Sequence, residues 1–436
     1  MTLKAGIARY DITPSLPMYL LGYPHFERIS TGVHDPLYAT ALYLNDETRA
    51  VIFISVDVLM LAHTTIRACR EIISRQTDVP AGSILISTTH THSAPVTIEQ
   101  LAFRGDTLVP GVDPAYLAQV KDGIIAAAVG ACQGAAPASA AFTNAQVEGV
   151  GGNRHDSQGA RDPQVGLLVL RQVQTGTPLA VSLVYSMHPT VLHEDSKLIT
   201  ADFPGFTRAA LEAELPNARV IYHTGPCGNQ SPRYHVSAQT FAEAERVGKR
   251  LAEEVMRVIS RLQEQDFTSN VPLAAVQAFV ELPGRTFPPV PEVEARLQAA
   301  VAHHQQLIRA GAPHGPVRTA EVDVFGAEEA VVLAKAQASG EIAELRRQYT
   351  PVEVQVIRVG PAVYVGLPGE LFVEYGLAIK QQADMPASVI SLANGELQGY
   401  IVTPDASGYE ASFSLFAPEA GQVMVQAALK LIKSIQ

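Results

Sequence analysis

Residues 83–93 read SILISTTHTHS, a short apolar run followed at once by two histidines one residue apart. The run predicts a buried β-strand, and side chains at positions i and i+2 of a strand point to the same face. We therefore expect His90 and His92 to project together at the strand end, where loops commonly carry function. The pair offers two metal ligands, or one ligand and one acid–base group. The alternative is two hydrogen-bonded histidines with a structural role only.

A third histidine follows another apolar run. Residues 184–189 read VYSMHP and place His188 just beyond a predicted strand. Two strand ends that carry histidines face each other if their strands are neighbours, and zinc needs several such groups to converge. In the glycine-rich segment 151–156, Arg154 is suited to hold a carboxylate or to stabilise an oxyanion. The alternative for Arg154 is a surface ion pair.

A lone carboxylate and two tyrosines lie late in the chain. Glu370, in LPGELF at 367–372, precedes a predicted helix. It either caps that helix or serves as an anionic zinc ligand, because two histidines and a glutamate form a recurring catalytic zinc site. Tyr400 and Tyr409 are able to ligate zinc or to donate a hydrogen bond to an oxyanion. The alternative for both is a half-buried ring with its hydroxyl in water.

A dense turn, GPCGNQSPR at 225–233, follows a predicted strand and contains Ser231. Ser231 is either a nucleophile or a polar contact, and the turn lacks the Gly-x-Ser-x-Gly pattern of a nucleophile elbow. Cys227 in the same turn is either a reactive thiol or a small core residue.

Strands and helices alternate along the whole chain, which predicts a layered α/β fold with a mixed β-sheet core flanked by helices. We expect one domain over residues 1–436, with residues 285–350 as a helical excursion or lid within it. The predicted strand regions are 39–58 (a hairpin), 83–88, 165–172, 179–187, 219–222 and 352–367 (a hairpin). The predicted helices are 62–77, 115–133, 203–215, 239–262 and 418–435, with a further amphipathic helix inside 285–320.

Composition limits the classes of function. Of 436 residues, 47% are hydrophobic and 17% charged, as in an ordinary globular protein. The net charge of −11 disfavours nucleic acid as a partner, since an acidic surface repels phosphate. Three widely spaced cysteines, no apolar run long enough to span a membrane and no signal peptide lead us to expect a cytoplasmic protein. The expected partner is a small-molecule or lipid-like substrate, and a homo-oligomer is left open.

A series of short motifs, taken in order, resembles the catalytic domain of the neutral, non-lysosomal ceramidases. The matching segments are ARYDITP (8–14), LGY (21–23), TGVH (31–34), SVD (55–57), THTHSAP (89–95), NR (153–154), GNQSP (228–232), PGE (368–370), YIVT (400–403) and YEAS (409–412). They span nearly the whole chain, and their shared order is more specific than any single motif.

The resemblance implies a set of site residues. The implied zinc ligands are His90, His188, Glu370 and Tyr400. The residues implied to line the reaction centre are His92, Arg154, Ser231 and Tyr409. Two departures stand out: Asn229 occupies the position of the family's usual aspartate, and the match covers the catalytic domain without the family's C-terminal immunoglobulin-like domain.

The activity that the resemblance implies is zinc-dependent hydrolysis of an N-acyl amide bond. A second interpretation keeps the zinc centre but has it hydrolyse a polar ester or a sugar-derived, glycosidic substrate in the cytoplasm. A third, from another class, is a non-catalytic ligand-binding protein on the same fold.

Overall fold

Eight strands form the main β-sheet of the computed structural model, which describes residues 2–435. In chain order they are β1 (Lys4–Asp11), β2 (Tyr38–Asn45), β3 (Ala50–Val56), β4 (Ile84–Thr88), β5 (Ala136–Gln146), β6 (Gln164–Gln172), β7 (Pro178–Tyr185) and β8 (Arg219–Thr224). Their order across the sheet is β8-β7-β6-β5-β1-β2-β3-β4. The β3–β4 and β7–β8 pairs are parallel and the other pairs are antiparallel, so the sheet is mixed.

The main sheet consists of two halves, strands β1–β4 and strands β5–β8. The halves are joined in the middle of the sheet through β1 and β5, and their outer strands also contact each other. Only two residue pairs join β1 to β5. Edge strand β8 lies against β3 and β4 through side-chain hydrogen bonds: Ser55 Oγ donates to the Tyr222 carbonyl at 2.5 Å, and Ser87 Oγ lies 2.8 Å from His223 Nδ1. Thr224 Oγ1 donates to the Thr89 carbonyl at 2.8 Å. These contacts bring the carboxyl end of β4 beside those of β7 and β8.

Helices cover the outer face of each half. Helices α1 (His63–Thr77) and α2 (Pro114–Gln133) pack on alternate residues of β2 and β3, such as Ala41 and Ile54. Helices α3 (Asp202–Glu214) and α4 (Phe241–Ile259) pack on the other half. Because side chains alternate between faces along a strand, the remaining apolar residues point to the inner face.

A second sheet of four strands packs on that inner face. Its strands, in order across the sheet, are β9 (Leu273–Val280), β10 (Val352–Val359), β11 (Ala362–Gly366) and β12 (Ala387–Ile390). Ile357 and Tyr364 join the core between the sheets, whereas Val356 and Val365 face helices α8 (Val373–Gln382) and α9 (Glu419–Ser434). The architecture is therefore a pair of packed sheets with helices on both outer sides.

Three helices are inserted between the antiparallel neighbours β9 and β10. They are α5 (Val290–Arg309), α6 (His314–Ala338) and α7 (Glu341–Tyr349). Since Val280 pairs with Val352, the insertion leaves and re-enters the sheet at one place.

Helix α6 of the insertion lies across several loops of the main body. Phe325 stacks on the ring of His25 with centroids 4.4 Å apart, and Arg318 pairs with Glu194 at 2.8 Å. Residues 290–349 thus form a helical insertion that touches loops next to the predicted site.

The layered mixed α/β architecture agrees with the prediction from sequence, and each predicted hairpin and helix has a counterpart. The prediction missed β1, β5, β9 and β12 and found only one of the three inserted helices. Strand β5 reads APASAAFTNAQ, whose small and polar residues carry little strand signal on their own. None of the helices in the described part of the chain is long and apolar enough to cross a membrane.

Candidate metal centre

His90 lies two residues beyond β4 in a turn, with a left-handed backbone φ of 65°. Its Nδ1 lies 2.8 Å from the Leu59 carbonyl, which only accepts, so the proton resides on Nδ1. The Nε2 lone pair then faces the interior of the protein, where His90 is buried. The two neighbouring histidines converge as predicted, but through this turn and not through alternation along a strand, because the strand ends at Thr88.

His188 follows β7 and is fully buried. Its Nδ1 lies 2.6 Å from the carbonyl of Cys227, in the loop after the neighbouring parallel strand β8. The Nε2 lone pair is therefore free, and it lies 3.0 Å from Nε2 of His90. Burial lowers the pKa of His188 to about 4, although Glu370 opposes the shift, so the imidazole is neutral at pH 7.

Glu370 provides the negative charge of the cluster. Its Oε2 lies 3.2 Å from Nε2 of His90 and 3.2 Å from Nε2 of His188. Oε2 is buried and receives no hydrogen bond of good geometry from any residue in 2–435. The alternative role as a helix cap falls to Asn229, whose Oδ1 accepts the N–H of Val373 at 2.9 Å.

These three atoms fit a single divalent metal ion. A tetrahedral ion with ligands at 2.0–2.1 Å separates its ligand atoms by roughly 3.3 Å, close to the 3.0–3.2 Å found among His90, His188 and Glu370. Two lone pairs and a carboxylate oxygen that face one another at this distance repel each other unless a cation lies between them. Carbonyl acceptors at Nδ1 of both histidines fix the tautomer that a metal requires.

His92 lies beside this triangle. The possible ligand atoms of His90, His92 and His188 all lie within 4.8 Å of one another. Nδ1 of His92 lies 2.9 Å from the Gly22 carbonyl, and Nε2 is buried without a hydrogen-bond partner in the described chain. Burial first, and then His90 and His188, lower the pKa of His92 well below 6.5. His92 is therefore a neutral, uncommitted base next to the candidate metal position.

Glycine is required at position 22 for this placement. A Cβ there would lie 2.6 Å from Cβ and 2.7 Å from Nδ1 of His92, and the backbone φ is +122°. The buried guanidinium of Arg28 supports the same turn by donating to the His92 carbonyl at 2.7 Å. The sequence contained the LGY motif, but nothing in it indicated that Gly22 and Arg28 contact the second histidine.

Tyr400 and Tyr409 are both at the site's margin. Tyr400 is the direct parallel-strand partner of Glu370, so the two side chains leave neighbouring strands on the same side. Tyr400 is buried, and its ring centroid lies 6.1 Å from that of Tyr409. Burial raises the pKa of both phenols well above 10, so both are neutral donors at pH 7 while no metal is bound.

Arg154, whose side chain is 19% exposed, forms a largely buried ion pair and not the surface pair that was its alternative. Its Nη2 lies 2.6 Å from Oε1 of Glu410, which is itself buried, and donates to the Gly228 carbonyl at 2.6 Å. Its guanidinium carbon lies 5.4 Å from the centre of the Tyr400 ring. Burial opposes ionisation of Glu410, but Arg154 lowers the pKa of that carboxyl to about 2. Glu410 is a charged residue of the site that the sequence reasoning did not single out.

The turn that contains Ser231 is mainly a structural link. Ser231 Oγ accepts the N–H of Arg233 at 3.1 Å, and no hydrogen bond within residues 2–435 joins Ser231 to the histidine cluster. Asn229 also donates to Glu374 at 2.8 Å, so the turn is anchored to helix α8. Burial raises the pKa of the Cys227 thiol, which keeps it protonated and favours the core role.

The fold and the cluster together define a mixed α/β protein with buried imidazoles and a carboxylate that could hold a metal ion. A sequence profile described as "Neutral/alkaline non-lysosomal ceramidase, N-terminal" matches residues 3–271, more than half of the chain. The chain therefore belongs to the neutral/alkaline non-lysosomal ceramidase family.

Individual relatives agree with this assignment. The chain is 21% identical to a neutral ceramidase of Drosophila melanogaster over 527 aligned positions, covering 100% of this chain and 74% of that protein. It is 26% identical over 267 residues to neutral ceramidase A of Dictyostelium discoideum, covering 56% of this chain and 37% of that protein.

The fold is also that of a solved relative. The crystal structure of neutral ceramidase from Pseudomonas aeruginosa superposes with a TM-score of 0.74 at 18% identity, covering 100% of this chain and 75% of that one. At this identity the match supports the fold alone. It agrees with the layered α/β architecture predicted from sequence.

Proposed function

We propose that this chain is a zinc-dependent hydrolase that cleaves the amide bond of an N-acyl substrate. The observation that carries the proposal is the convergence of His90 Nε2, His188 Nε2 and Glu370 Oε2 within 3.0–3.2 Å of one another in a buried site. Those three atoms would hold the ion, with the Tyr400 phenol as a further ligand and one position left for water. Neutral nitrogen and carboxylate oxygen ligands suit zinc. Membership of the ceramidase family supports an amide as the bond that is cleaved.

A zinc ion bound here would act as a Lewis acid, lowering the pKa of a water from about 15.7 towards 7 and polarising the substrate carbonyl. His92 is the general base that takes the proton from that water, because its Nε2 is unpartnered and its imidazole is neutral. The same nitrogen returns the proton to the leaving amine.

Arg154 and Tyr409 stabilise the oxyanion that develops on the substrate carbonyl. Arg154 keeps a buried Nε–H without a partner in the described chain, and Glu410 holds the guanidinium in place. Tyr409 keeps its phenol proton at neutral pH. A donor of this kind contributes on the order of 3 kcal/mol to transition-state stabilisation. Ser231, whose hydroxyl proton remains available, contacts the substrate.

The insertion acts as a lid in this proposal. Helix α6 packs its Gly326 against the Tyr409 ring, where a Cβ would lie 3.2 Å from Cδ2 of that ring. Through His25 and Glu194 it also contacts the loops that follow Gly22 and His188. It is therefore positioned to exclude water from the reaction centre.

The test is hydrolysis of short-chain N-acyl amides, including a ceramide, combined with metal analysis. We expect about one zinc per chain, loss of turnover with a chelator and recovery with zinc. His90→Ala should lose both zinc and turnover, while the exposed His303→Ala, a matched control, should keep both. Stoichiometric zinc and full turnover in His90→Ala would contradict the proposal.

A further inference from the structure

A cavity of about 260 Å³ lies between the insertion and the turn that carries Tyr409. The insertion contributes Arg296 and Asp323, the segment that leads from β9 into it contributes Arg285, and the main body contributes Gly408, Tyr409 and Ser412. Arg285 is fixed next to this turn because its backbone N–H donates to the Leu415 carbonyl at 3.0 Å. The cavity therefore shares Tyr409 with the proposed reaction centre.

Arg285 is a cation without an anionic partner. Its guanidinium makes no hydrogen bond and no ion pair with any residue in 2–435. Its one cation–π contact among these residues is with the Phe287 ring, whose centre lies 5.6 Å away. The side chain is half-buried, and this burial lowers its pKa. In a chain with 43 acidic and 32 basic residues, a half-buried arginine without a carboxylate is unusual. Burying a charge without a partner is costly, so a bound anion would relieve the cost.

A second arginine strengthens the positive potential at this place. Arg346, on helix α7, donates to the carbonyls of Leu415 and Arg285, and it too has no carboxylate partner within the described residues. Two other charged residues line the cavity: Arg296, which is paired with Glu292, and Asp323, which is exposed. Because water and salt screen the exposed Asp323 carboxylate more than the half-buried Arg285 guanidinium, the more effective charge in the cavity is positive.

We propose that this cavity is a subsite for an anionic group of the substrate, a carboxylate or a phosphate, with Arg285 as the residue that binds it. The proposal rests on the proposed function, since Tyr409 connects the cavity to the bond that is cleaved. An Arg guanidinium matches a carboxylate or phosphate through paired N–H donors. The substrate class is then an N-acyl compound with an acidic group, such as an N-acyl amino acid, in preference to a neutral N-acyl alcohol.

The test compares three substrates with the same acyl chain on zinc-loaded protein: an N-acyl amino acid, an N-acyl phosphoethanolamine and a neutral N-acyl ethanolamine. We expect an acidic substrate to have the higher kcat/KM, mainly through a lower KM. Arg285→Gln should reduce the acidic-to-neutral preference roughly 10- to 100-fold. Arg285→Lys should keep part of the preference, and the exposed Arg309→Gln on the same insertion serves as the matched control. The two acidic substrates distinguish carboxylate from phosphate.

A binding measurement separates this inference from the proposed function. A non-hydrolysable ketone analogue of the better acidic substrate, with a methylene in place of the amide nitrogen, is titrated into both proteins by calorimetry. Weaker binding to Arg285→Gln supports the subsite even if no amide is cleaved, in which case the proposed function alone fails. Equal binding to both proteins, or an unchanged preference ratio in Arg285→Gln, would overturn the subsite.

Discussion

At the scale of single residues, the site depends on which backbone groups each imidazole meets. His90, His92 and His188 each place Nδ1 against a carbonyl, of Leu59, Gly22 and Cys227 respectively. The three Nε2 atoms therefore face the interior of the site with their lone pairs available. This common arrangement makes the cluster suitable for a metal and a base, and it depends on residues far from the histidines in sequence.

Gly22→Ala should impair catalysis without removing the metal. The new Cβ would collide with the His92 ring, whereas His90, His188 and Glu370 are not touched. We expect kcat/KM to fall on the order of 10- to 100-fold, since small misplacements of a catalytic group have effects of this size. Gly176→Ala is the control, because its φ of +66° is also left-handed but no atom lies within 4 Å of a new Cβ. Wild-type turnover in Gly22→Ala would argue against His92 as the base.

Glu410→Gln should destabilise the protein strongly, because it leaves Arg154 without its buried counter-charge. Breaking a buried pair costs on the order of 3–5 kcal/mol, measurable as a lower free energy of unfolding in urea. Glu264→Gln removes the exposed partner of Arg171 and should cost less than about 1 kcal/mol. Similar losses of unfolding free energy in the two variants would show that the Arg154–Glu410 pair stabilises the fold no more than an exposed ion pair does.

The residue types of the site could be read from the sequence, but their neighbours could not. The two histidines after an apolar strand and the isolated Glu370 carry a local signal. Gly22, Arg28 and Glu410 act through contacts with residues 64 or more positions away, such as the Arg28–His92 bond. A spacing rule along one strand or helix cannot reveal such contacts.

At the scale of elements, the site lies where the carboxyl ends of β4, β7 and β8 meet. Each of these three strands belongs to a parallel pair and leads into a loop that carries a site residue: His90 after β4, His188 after β7 and Ser231 after β8. Sequence periodicity identified most of these strands, because buried apolar runs are long and clear. It could not show that the two edges of the sheet touch, since the bonds between Ser55 and Tyr222 and between Thr224 and Thr89 join distant segments.

The insertion offers a test at this scale. Phe325→Ala removes the stacking of helix α6 on His25 and the edge contact with Phe26. We expect faster hydrogen exchange across residues 290–349 and a higher KM, with zinc content unchanged, because the metal cluster lies outside the insertion. Ile308→Ala, at a solvent-exposed position of α5, is the control. Unchanged exchange and KM in Phe325→Ala would contradict the lid role.

At the scale of the whole molecule, hydrogen bonds of the buried Glu396 connect the insertion to loops that follow strands of both sheets. Glu396 accepts the hydroxyl of Tyr349, at the end of α7, at 2.6 Å and also accepts the N–H of Gln398. Gln398 in turn donates to the Glu99 carbonyl at 3.0 Å. Burial raises the pKa of Glu396 from 4.5 to about 7. The contacts between such distant segments form only on folding, so no pattern along the sequence indicated them.

Glu396 should make the protein less stable as the pH rises from about 4.5 to 7. In that window the folded chain keeps a proton that the unfolded chain has lost, so the contribution present at low pH disappears as the pH approaches 7. Glu396→Gln should flatten this part of the dependence, by on the order of 3 kcal/mol at most. Urea unfolding at several pH values measures the difference. Parallel curves for the two proteins would show that Glu396 is not a buried acid with a raised pKa.

The most direct test of the zinc centre is anomalous diffraction at the zinc absorption edge, on crystals of the protein purified without added metal. The account predicts one strong peak per chain, about 2.0–2.2 Å from His90 Nε2, His188 Nε2 and a carboxylate oxygen of Glu370. A stoichiometric zinc peak elsewhere, or crystals grown with zinc that show none between these three side chains, would contradict it.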